Sequence, residues 1–113
     1  MDADRVNRFV AEKVMKWELR NEHWFRLGSW VSAGRNIHNF RPYDCFADCN
    51  LVLEAIKRDG WDIGLECFQE TKQWRCWIVR IDDTHDDGPV TEDDKEFSTA
   101  LIKCVAIAYG YQE

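Results

Sequence analysis

The clearest pattern of apolar and polar positions lies near the middle of the chain, from Trp74 to Ile81. Six of these eight residues are apolar, and side chains alternate across a strand. One face would carry Trp74, Cys76 and Ile78, and the other Trp77, Val79 and Ile81. A strand that is apolar on both faces is typical of a sheet covered on both sides. We therefore expect helices above and below this strand.

A second alternating stretch, Trp61 to Phe68, directly precedes this strand. The polar residues 69–73 between the two stretches are typical of a turn. The pattern predicts an antiparallel hairpin made of the two strands.

The first of three segments with a helical period begins at a cap formed by Asp2 or Asp4 and ends near Trp17. Its apolar stripe consists of Val6, Phe9, Val10, Val14 and Trp17. Residues 23–40 have no helical period. Gly28 divides their first part into two short strands or extended pieces, and residues 32–36 are predicted to form a turn.

The second helix follows Pro42, with Asp44 as its predicted cap, and ends before Gly60. Its predicted buried face consists of Phe46, Cys49, Val52, Leu53 and Ile56. An acidic loop over residues 82–94, with a further cap at 91–94, leads into a third helix over 95–109.

The order of elements is helix, short strands, helix, hairpin, helix. It predicts a single α+β domain over residues 1–113, a helix/sheet/helix sandwich with a small, mainly antiparallel sheet.

Composition narrows the classes of protein that fit. The 113 residues are 45% apolar, enough for one modest core. Their apolar runs fall far short of the roughly 20 residues that span a bilayer, and the acidic N-terminus lacks a secretory core. The net charge of -6 argues against nonspecific nucleic-acid binding. We expect a cytosolic protein without a membrane partner, whose five cysteines are reduced thiols.

Several motifs occur together along the chain. They are a short helix ending in Trp17, Phe40-x-Pro42-x-Asp44 before a helix, Gly60-Trp61, Trp74-x-x-Trp77-x-Val79 and a C-terminal helix rich in small residues. In these motifs the chain resembles the phage ABA sandwich domain family, small proteins encoded by bacteriophages and prophages. The resemblance implies a helix/sheet/helix sandwich in the bacterial host's cytoplasm, without an established enzymatic activity. It assigns no functional residue.

The acidic loop approximates a twelve-residue calcium loop. Asp83, Asp87 and Asp94 provide oxygen ligands at suitable spacing, and Gly88 lies where the loop must turn sharply. His85 and the short final aspartate do not fit the pattern. A solvated acidic loop before a helix explains the same residues, so we expect neither a metal nor another cofactor.

Cys45 and Cys49 lie four residues apart on the second helix, with His38 or His23 nearby in sequence. This spacing would allow both thiolates to face one metal. The chain has no C-x-x-C knuckle, and Cys49 falls on the apolar stripe of the helix. We therefore interpret Cys49 as a buried thiol, and no spacing indicates a cysteine–histidine catalytic pair.

The segment from residue 24 to residue 41 interleaves aromatic and basic side chains. The candidate ligand-binding residues are Trp24, Arg26, Trp30, Arg35, His38 and Arg41. Such a combination can stack a base and hold a phosphate, which suggests a nucleotide or dinucleotide signal. The alternative is that the aromatic residues close one end of the core while the arginines pair with local acids.

The preferred hypothesis is a noncatalytic phage or prophage accessory protein that acts by binding, through self-association or a protein partner. Small residues of the third helix, Ala100, Ala106 and Ala108, would permit close approach of a second subunit. The alternative is a protein that sequesters a small nucleotide-derived signal. A metal-dependent hydrolase has the least support, because no paired carboxylate and histidine spacing suggests a built site.

Overall fold

The computed structural model of the chain describes residues 1–26, 29–30, 36, 38–80 and 90–112, with the backbone alone at 29–30. These residues form three helices and two three-stranded antiparallel sheets. The predicted α+β class is confirmed, although the strands form two small sheets.

The helices are α1 (Ala3–Phe9), which continues as a π-helical turn over Val10–Val14, α2 (Phe46–Arg58) and α3 (Phe97–Ala108). The first sheet contains β1 (Glu18–Arg20), β2 (His23–Arg26) and β3 (Ser29–Trp30), and the second contains β4 (Trp61–Phe68), β5 (Gln73–Arg80) and β6 (Val90–Asp94). None of the described helices is long and apolar enough to cross a bilayer.

Helix α1 begins at Asp2, as the sequence predicts. The Asp2 side chain accepts hydrogen bonds from the backbone N–H groups of Asp4 and Arg5, at 3.0 and 3.3 Å. These bonds satisfy donors that the first helical turn leaves unpaired. The helical winding ends earlier than predicted, and Lys16 adopts a positive φ of 63° before the chain enters β1.

The first sheet contains the two predicted extended pieces as β2 and β3. An additional strand, β1, pairs with β2 so that Leu19 lies opposite Trp24. The predicted turn at 32–36 lies outside the described residues except for Asn36, which forms an isolated bridge with His23.

The second sheet confirms the predicted hairpin, with Ile63 opposite Ile78 in β4 and β5. Residues 90–94 were predicted to be part of the acidic loop and the helix cap, and this was wrong. They form the edge strand β6, in which Thr91 lies opposite Trp77. The strand was not predicted because these residues are mostly acidic. An edge strand needs few apolar residues when one of its sides faces water.

The two faces of β5 have different surroundings. On the inner face Cys76 and Ile78 are fully buried, and helix α3 packs against this strand and β6. On the outer face Trp77 and Val79 are half-buried and lie outside the core formed by the described residues. The indole of Trp77 lies against Gly64, where a Cβ atom would overlap with it. The expected helical cover is thus found on the inner face. For the outer face the prediction of a covering helix is wrong within the described residues, and Ile81 lies outside them.

Helix α2 differs from the prediction at its first turn. Cys45 occupies the cap position without a side-chain hydrogen bond, and Asp44 instead pairs with Arg41. Phe46 was predicted to be buried but is 60% exposed, because the helix turns it away from the core. The helix ends at Arg58, before the predicted stop at Gly60, whose φ of 85° suits a residue without a side chain.

Helix α3 is buried on almost every side, since it contacts α1, α2, β5 and β6. Its cap position is Glu96, and not a residue within 91–94. Ala100 and Ala106 are fully buried within the chain, and Ala108 is half-buried. These small residues therefore allow close approach of the chain's own elements, and the argument for a subunit interface at Ala100 and Ala106 is wrong.

Candidate functional site

A cleft of about 370 Å³ lies between helix α1 and the segment 38–41, above strand β2. We refer to it as the α1 cleft. It is lined by Asp4, Arg5, Asn7, Arg8, Trp24, His38, Phe40 and Arg41. Its volume is within the about 300–1,000 Å³ that is usual for small-molecule sites.

Helix α1 brings a buried polar residue to the cleft. Asn7 is only 3% exposed and shares the buried side of the helix with Val10 and Ala11. Its side-chain carbonyl oxygen, Oδ1, accepts a hydrogen bond from the backbone N–H of Tyr43 at 2.8 Å. This bond ties α1 to the segment that precedes α2, and it fixes which end of the amide is the NH₂ group.

The opposite wall of the cleft is held by hydrogen bonds to two further helices. The backbone N–H of Arg41 donates to Asp48 of α2 at 2.8 Å, and Asp48 is 2% exposed. The backbone carbonyl of Tyr43 accepts a hydrogen bond from the hydroxyl of Thr99 in α3 at 2.9 Å. Since buried polar groups of this kind are costly to leave unpaired, they hold the wall in one position.

Trp24 of β2 reaches the cleft from the core. It is 1% exposed and its ring lies 6.3 Å from that of Trp17, which in turn contacts Phe40 at 4.7 Å. The aromatic cluster closes one end of the core, as the structural alternative predicts. The buried ring faces are therefore not a platform on which a base can stack.

Two buried N–H donors of residues that line the cleft have no hydrogen-bond partner among the described residues. They are Nε1 of Trp24 and Nδ2 of Asn7, and both side chains line the α1 cleft. A buried donor without an acceptor costs about 1–3 kcal/mol. Such groups are rare in folded proteins and call for an explanation.

The charged residues of the cleft are unequally paired. Arg41 forms ion pairs with Asp44 at 3.0 Å and Asp4 at 2.8 Å, and hydrogen bonds to these two carboxylates raise the pKa of Arg41. Arg8 pairs with Glu12 at 3.0 Å. Arg5 is exposed and has no ion pair with any residue that the structure describes, so its guanidinium is available to an anion.

The structure brings together three of the predicted ligand-binding residues, Trp24, His38 and Arg41, around the cleft. Arg26 is exposed at the end of β2 and does not line it. The side chain of Trp30 and the whole of Arg35 lie outside the described residues.

The contribution of helix α1 was not predicted, because this helix lies about 30 residues before His38 in sequence. Asp4, Arg5, Asn7 and Arg8 all line the cleft. The one available signal was Asn7, a polar residue at helical spacing from buried apolar residues. A buried polar residue on an apolar stripe marks a position with a specific hydrogen-bonding role.

The calcium-loop candidates do not form a described site. Asp83 and Asp87 lie outside the described residues, and Asp94 in β6 pairs with Lys103 Nζ at 2.7 Å. Burial acts to raise the pKa of Asp94, but hydrogen bonds from Lys103 and the backbone of Glu96 outweigh it and the pKa is lowered. Across the described ranges, no group of three or more His, Cys, Asp or Glu side chains is placed to hold a metal ion.

All five cysteines are free, and the buried ones have the character of packing residues. Cys49 is fully buried, as interpreted from its stripe, and burial raises its pKa to about 12. A hydrogen bond with Cys76, together with burial, raises the pKa of Cys104, whose thiol also donates to the carbonyl of Val90 at 3.2 Å. Thiols that stay protonated are weak nucleophiles and weak metal ligands.

Comparisons with known proteins place this fold in a family. The profile of the phage ABA sandwich domain matches residues 8–92. Among solved structures, the chain is similar to a phage protein from Bacillus cereus ATCC 14579, with a TM-score of 0.65 over 92% of this chain and 88% of that chain. The identity is 12%, so this likeness concerns the fold alone. A search of curated proteins found no match. Because the profile covers most of its 113 residues, the chain belongs to the phage ABA sandwich domain family.

Proposed function

We propose that this family member is a noncatalytic phage or prophage accessory protein that acts by binding in the host cytoplasm, and that the α1 cleft takes a small anionic ligand. The observation that supports this proposal is that one cleft is lined by Arg5, Asn7 and Trp24, whose guanidinium and N–H donors have no ion pair or acceptor within the described part of the chain. Buried donors and guanidinium groups together are the usual means of holding phosphate or carboxylate oxygens.

The cleft favours a binding role over a catalytic one. A general base needs a partner that orients its ring and a nucleophile within reach. His38 is exposed, and no described carboxylate or carbonyl orients its side chain. Asp4, the carboxylate that lines the cleft, is 80% exposed and already pairs with Arg41.

The ligand class that fits is a small phosphate-bearing molecule of the nucleotide type. The rings of Trp24 and Phe40 are 1% exposed, so they offer little face to a base. Recognition must therefore be directed mainly at the anionic group, with exposed Arg5 and His38 at the cleft's rim.

A thermal-shift screen tests this proposal. Inorganic phosphate, nucleoside monophosphates and cyclic dinucleotides are compared with sodium chloride at matched ionic strength. A ligand present at about 100 times its Kd should stabilise the protein by about 2.7 kcal/mol. Arg5→Gln should remove most of the shift, because it removes the cleft arginine that has no ion pair among the described residues.

The matched control for Arg5→Gln is Arg58→Gln, an exposed arginine of α2 that pairs with Asp59 and does not line the cleft. It should retain the full shift. A shift that Arg58→Gln reduces as strongly as Arg5→Gln would indicate a general charge effect, and a flat screen would contradict the proposal.

Self-association, or a protein partner, is a second candidate that a different surface favours. The outer face of the second sheet carries half-buried Trp77, Val79 and Phe68 outside the core of the described residues. Apolar groups grouped on a surface are typical of contact sites. Sedimentation velocity at high micromolar concentration tests it, since a dimer should dissociate in a Val79→Asp variant and a monomeric wild type would exclude self-association.

A further inference from the structure

We call the part of the α1 cleft that Asn7 and Trp24 line its inner end, and each of these side chains carries a buried donor whose orientation is fixed. Asn7 cannot exchange the two ends of its amide without losing the bond from Tyr43 N–H to Oδ1. The indole of Trp24 is held against the ring of Trp17. Both side chains are more than nine-tenths buried, and the Nδ2 and Nε1 groups find no acceptor among the residues that the structure describes. Both nitrogens are themselves closed to solvent, so an acceptor reaches them only when the cleft opens further, and their fixed orientation then lets them donate without rotating.

The charged side chains that line the α1 cleft determine which kind of acceptor can bind there. The guanidinium of Arg41 is occupied by Asp4 and Asp44, whereas Arg5 has no such partner within the described part of the chain. An anion that gives up water for neutral N–H donors requires a cation nearby to remain charged. Arg5 lines the same cleft, and its long side chain and planar fork suit a group with several oxygens.

We propose that the inner end of the α1 cleft is a phosphoryl-binding site. Nδ2 of Asn7 and Nε1 of Trp24 donate to two phosphoryl oxygens, and the guanidinium of Arg5 binds the third. This inference rests on the proposed function and adds the chemical group and its donors. A phosphoryl group is favoured over a carboxylate because three separate donor groups match three terminal oxygens.

The direct readout is the indole N–H resonance of Trp24 in ¹H–¹⁵N NMR spectra. The chain has six tryptophans, and the Trp24→Phe spectrum identifies the Trp24 signal by its loss. Titration of the wild type with sodium phosphate should shift that signal downfield in a saturable manner, because its N–H acquires a charged acceptor. Sodium chloride and sodium acetate at equal ionic strength are the reference titrations.

Two variants remove one donor each while leaving its surroundings in place. Asn7→Asp keeps the oxygen that accepts from Tyr43 N–H and replaces the NH₂ group by an anionic oxygen. Trp24→Phe keeps an aromatic ring beside Trp17. Each should weaken phosphate binding by about 10-fold or more, as expected for the loss of a hydrogen bond to a charged group. Arg26→Gln, on an exposed arginine outside the cleft, should leave the affinity unchanged.

A second arm identifies the source of the phosphoryl group. If a nucleoside monophosphate produces the same indole shift at lower concentration than inorganic phosphate, the site serves a nucleotide. Equal affinities indicate free phosphate. Either result supports the phosphoryl site. Both are read in the wild type, where sequential resonance assignment identifies the Trp24 signal if Trp24→Phe does not fold.

Other outcomes overturn the inference, and they separate it from the proposed function. Anion binding that leaves the Trp24 indole unshifted and is unaffected by Asn7→Asp would remove the inner site while leaving the cleft as a binding site. An equal shift with acetate would contradict the phosphoryl assignment. An indole that contacts only bound water, shown by a water cross-peak unchanged by every anion, would also overturn the inference. The proposed function fails only if the thermal screen is flat as well.

Discussion

The two faces of the strand predicted over residues 74–81 are equally apolar in sequence, but they have different surroundings in the structure. Cys76 and Ile78 on the inner face are completely buried beneath α3. Trp77 and Val79 on the outer face remain half-buried. Burial of apolar area is worth about 25 cal/mol per Å², so the inner face contributes far more to the stability of this chain. The alternation of apolar and polar residues along a strand therefore identifies its apolar positions, but it does not indicate which element covers them.

The outer face gains part of its cover from its own sheet. The indole of Trp77 lies over Gly64, its cross-strand neighbour, in the space that any other residue's Cβ would need. Arg75 pairs with Asp93 across the next strand pair at 2.8 Å. A tryptophan over a glycine and a crossing ion pair give an antiparallel sheet a partly protected surface without a helix.

The strongest test of the comparison truncates one residue on each face. Ile78→Ala should lower the free energy of unfolding by about 2–5 kcal/mol, because it leaves a cavity under α3. Val79→Ala should cost less than about 1 kcal/mol, since part of that side chain already contacts water. Urea denaturation measures both. If Val79→Ala lowers the free energy of unfolding as much as Ile78→Ala does, and if this loss grows with protein concentration, a second copy covers the outer face in solution.

A smaller effect is expected where the outer face is tightly packed. Gly64→Ala should destabilise the protein by about 1–3 kcal/mol, because its new methyl group must displace the Trp77 indole. Asp62→Ala, an exposed position on the same face of β4, is the matched control and should change little. When Gly64→Ala is made in a Trp77→Val background, most of the destabilisation caused by Gly64→Ala should disappear, because the indole is no longer there. If Gly64→Ala behaves like its control, the indole does not lie over this glycine in solution.

The inner face should also respond to acid. The folded pKa of Asp94 is lowered, because hydrogen bonds from Lys103 and the backbone of Glu96 outweigh its burial. Its contribution to stability is therefore present above the unfolded pKa of about 3.9 and lost as pH falls through the lower folded value. Lys103→Met should cost about 1 kcal/mol at neutral pH and flatten the acid limb of a stability–pH curve. An unchanged acid limb would contradict the pairing.

The smallest effect is expected for the corresponding pair on the outer face. The Arg75 guanidinium, by its hydrogen bond, lowers the pKa of Asp93, but both side chains are well exposed to solvent. Solvent and salt screen such a pair. Arg75→Gln should therefore shift the denaturation midpoint less than Lys103→Met does, and the difference should persist in high salt. A larger effect of Arg75→Gln would reverse the assignment of inner and outer faces.

The candidate site was only partly predictable from local pattern. The sequence singled out Trp24, His38 and Arg41 because aromatic and basic residues alternate within one short segment. It did not connect them with Arg5 and Asn7, since no local periodicity encodes contact between segments so far apart. The contact depends on long-range hydrogen bonds that appear only after the helices pack.

The sequence by itself determined the α+β class, the positions of the helices and the β4–β5 hairpin. Helical period and strand alternation are local properties, set by which residues must leave water. The tertiary structure alone decided that acidic residues 90–94 form a strand, that α3 covers only the inner face of β5, and that α1 meets segment 38–41 at a cleft. These features arise from pairing between distant groups, such as Arg41 N–H with Asp48, whose free energy depends on partners that no local pattern specifies.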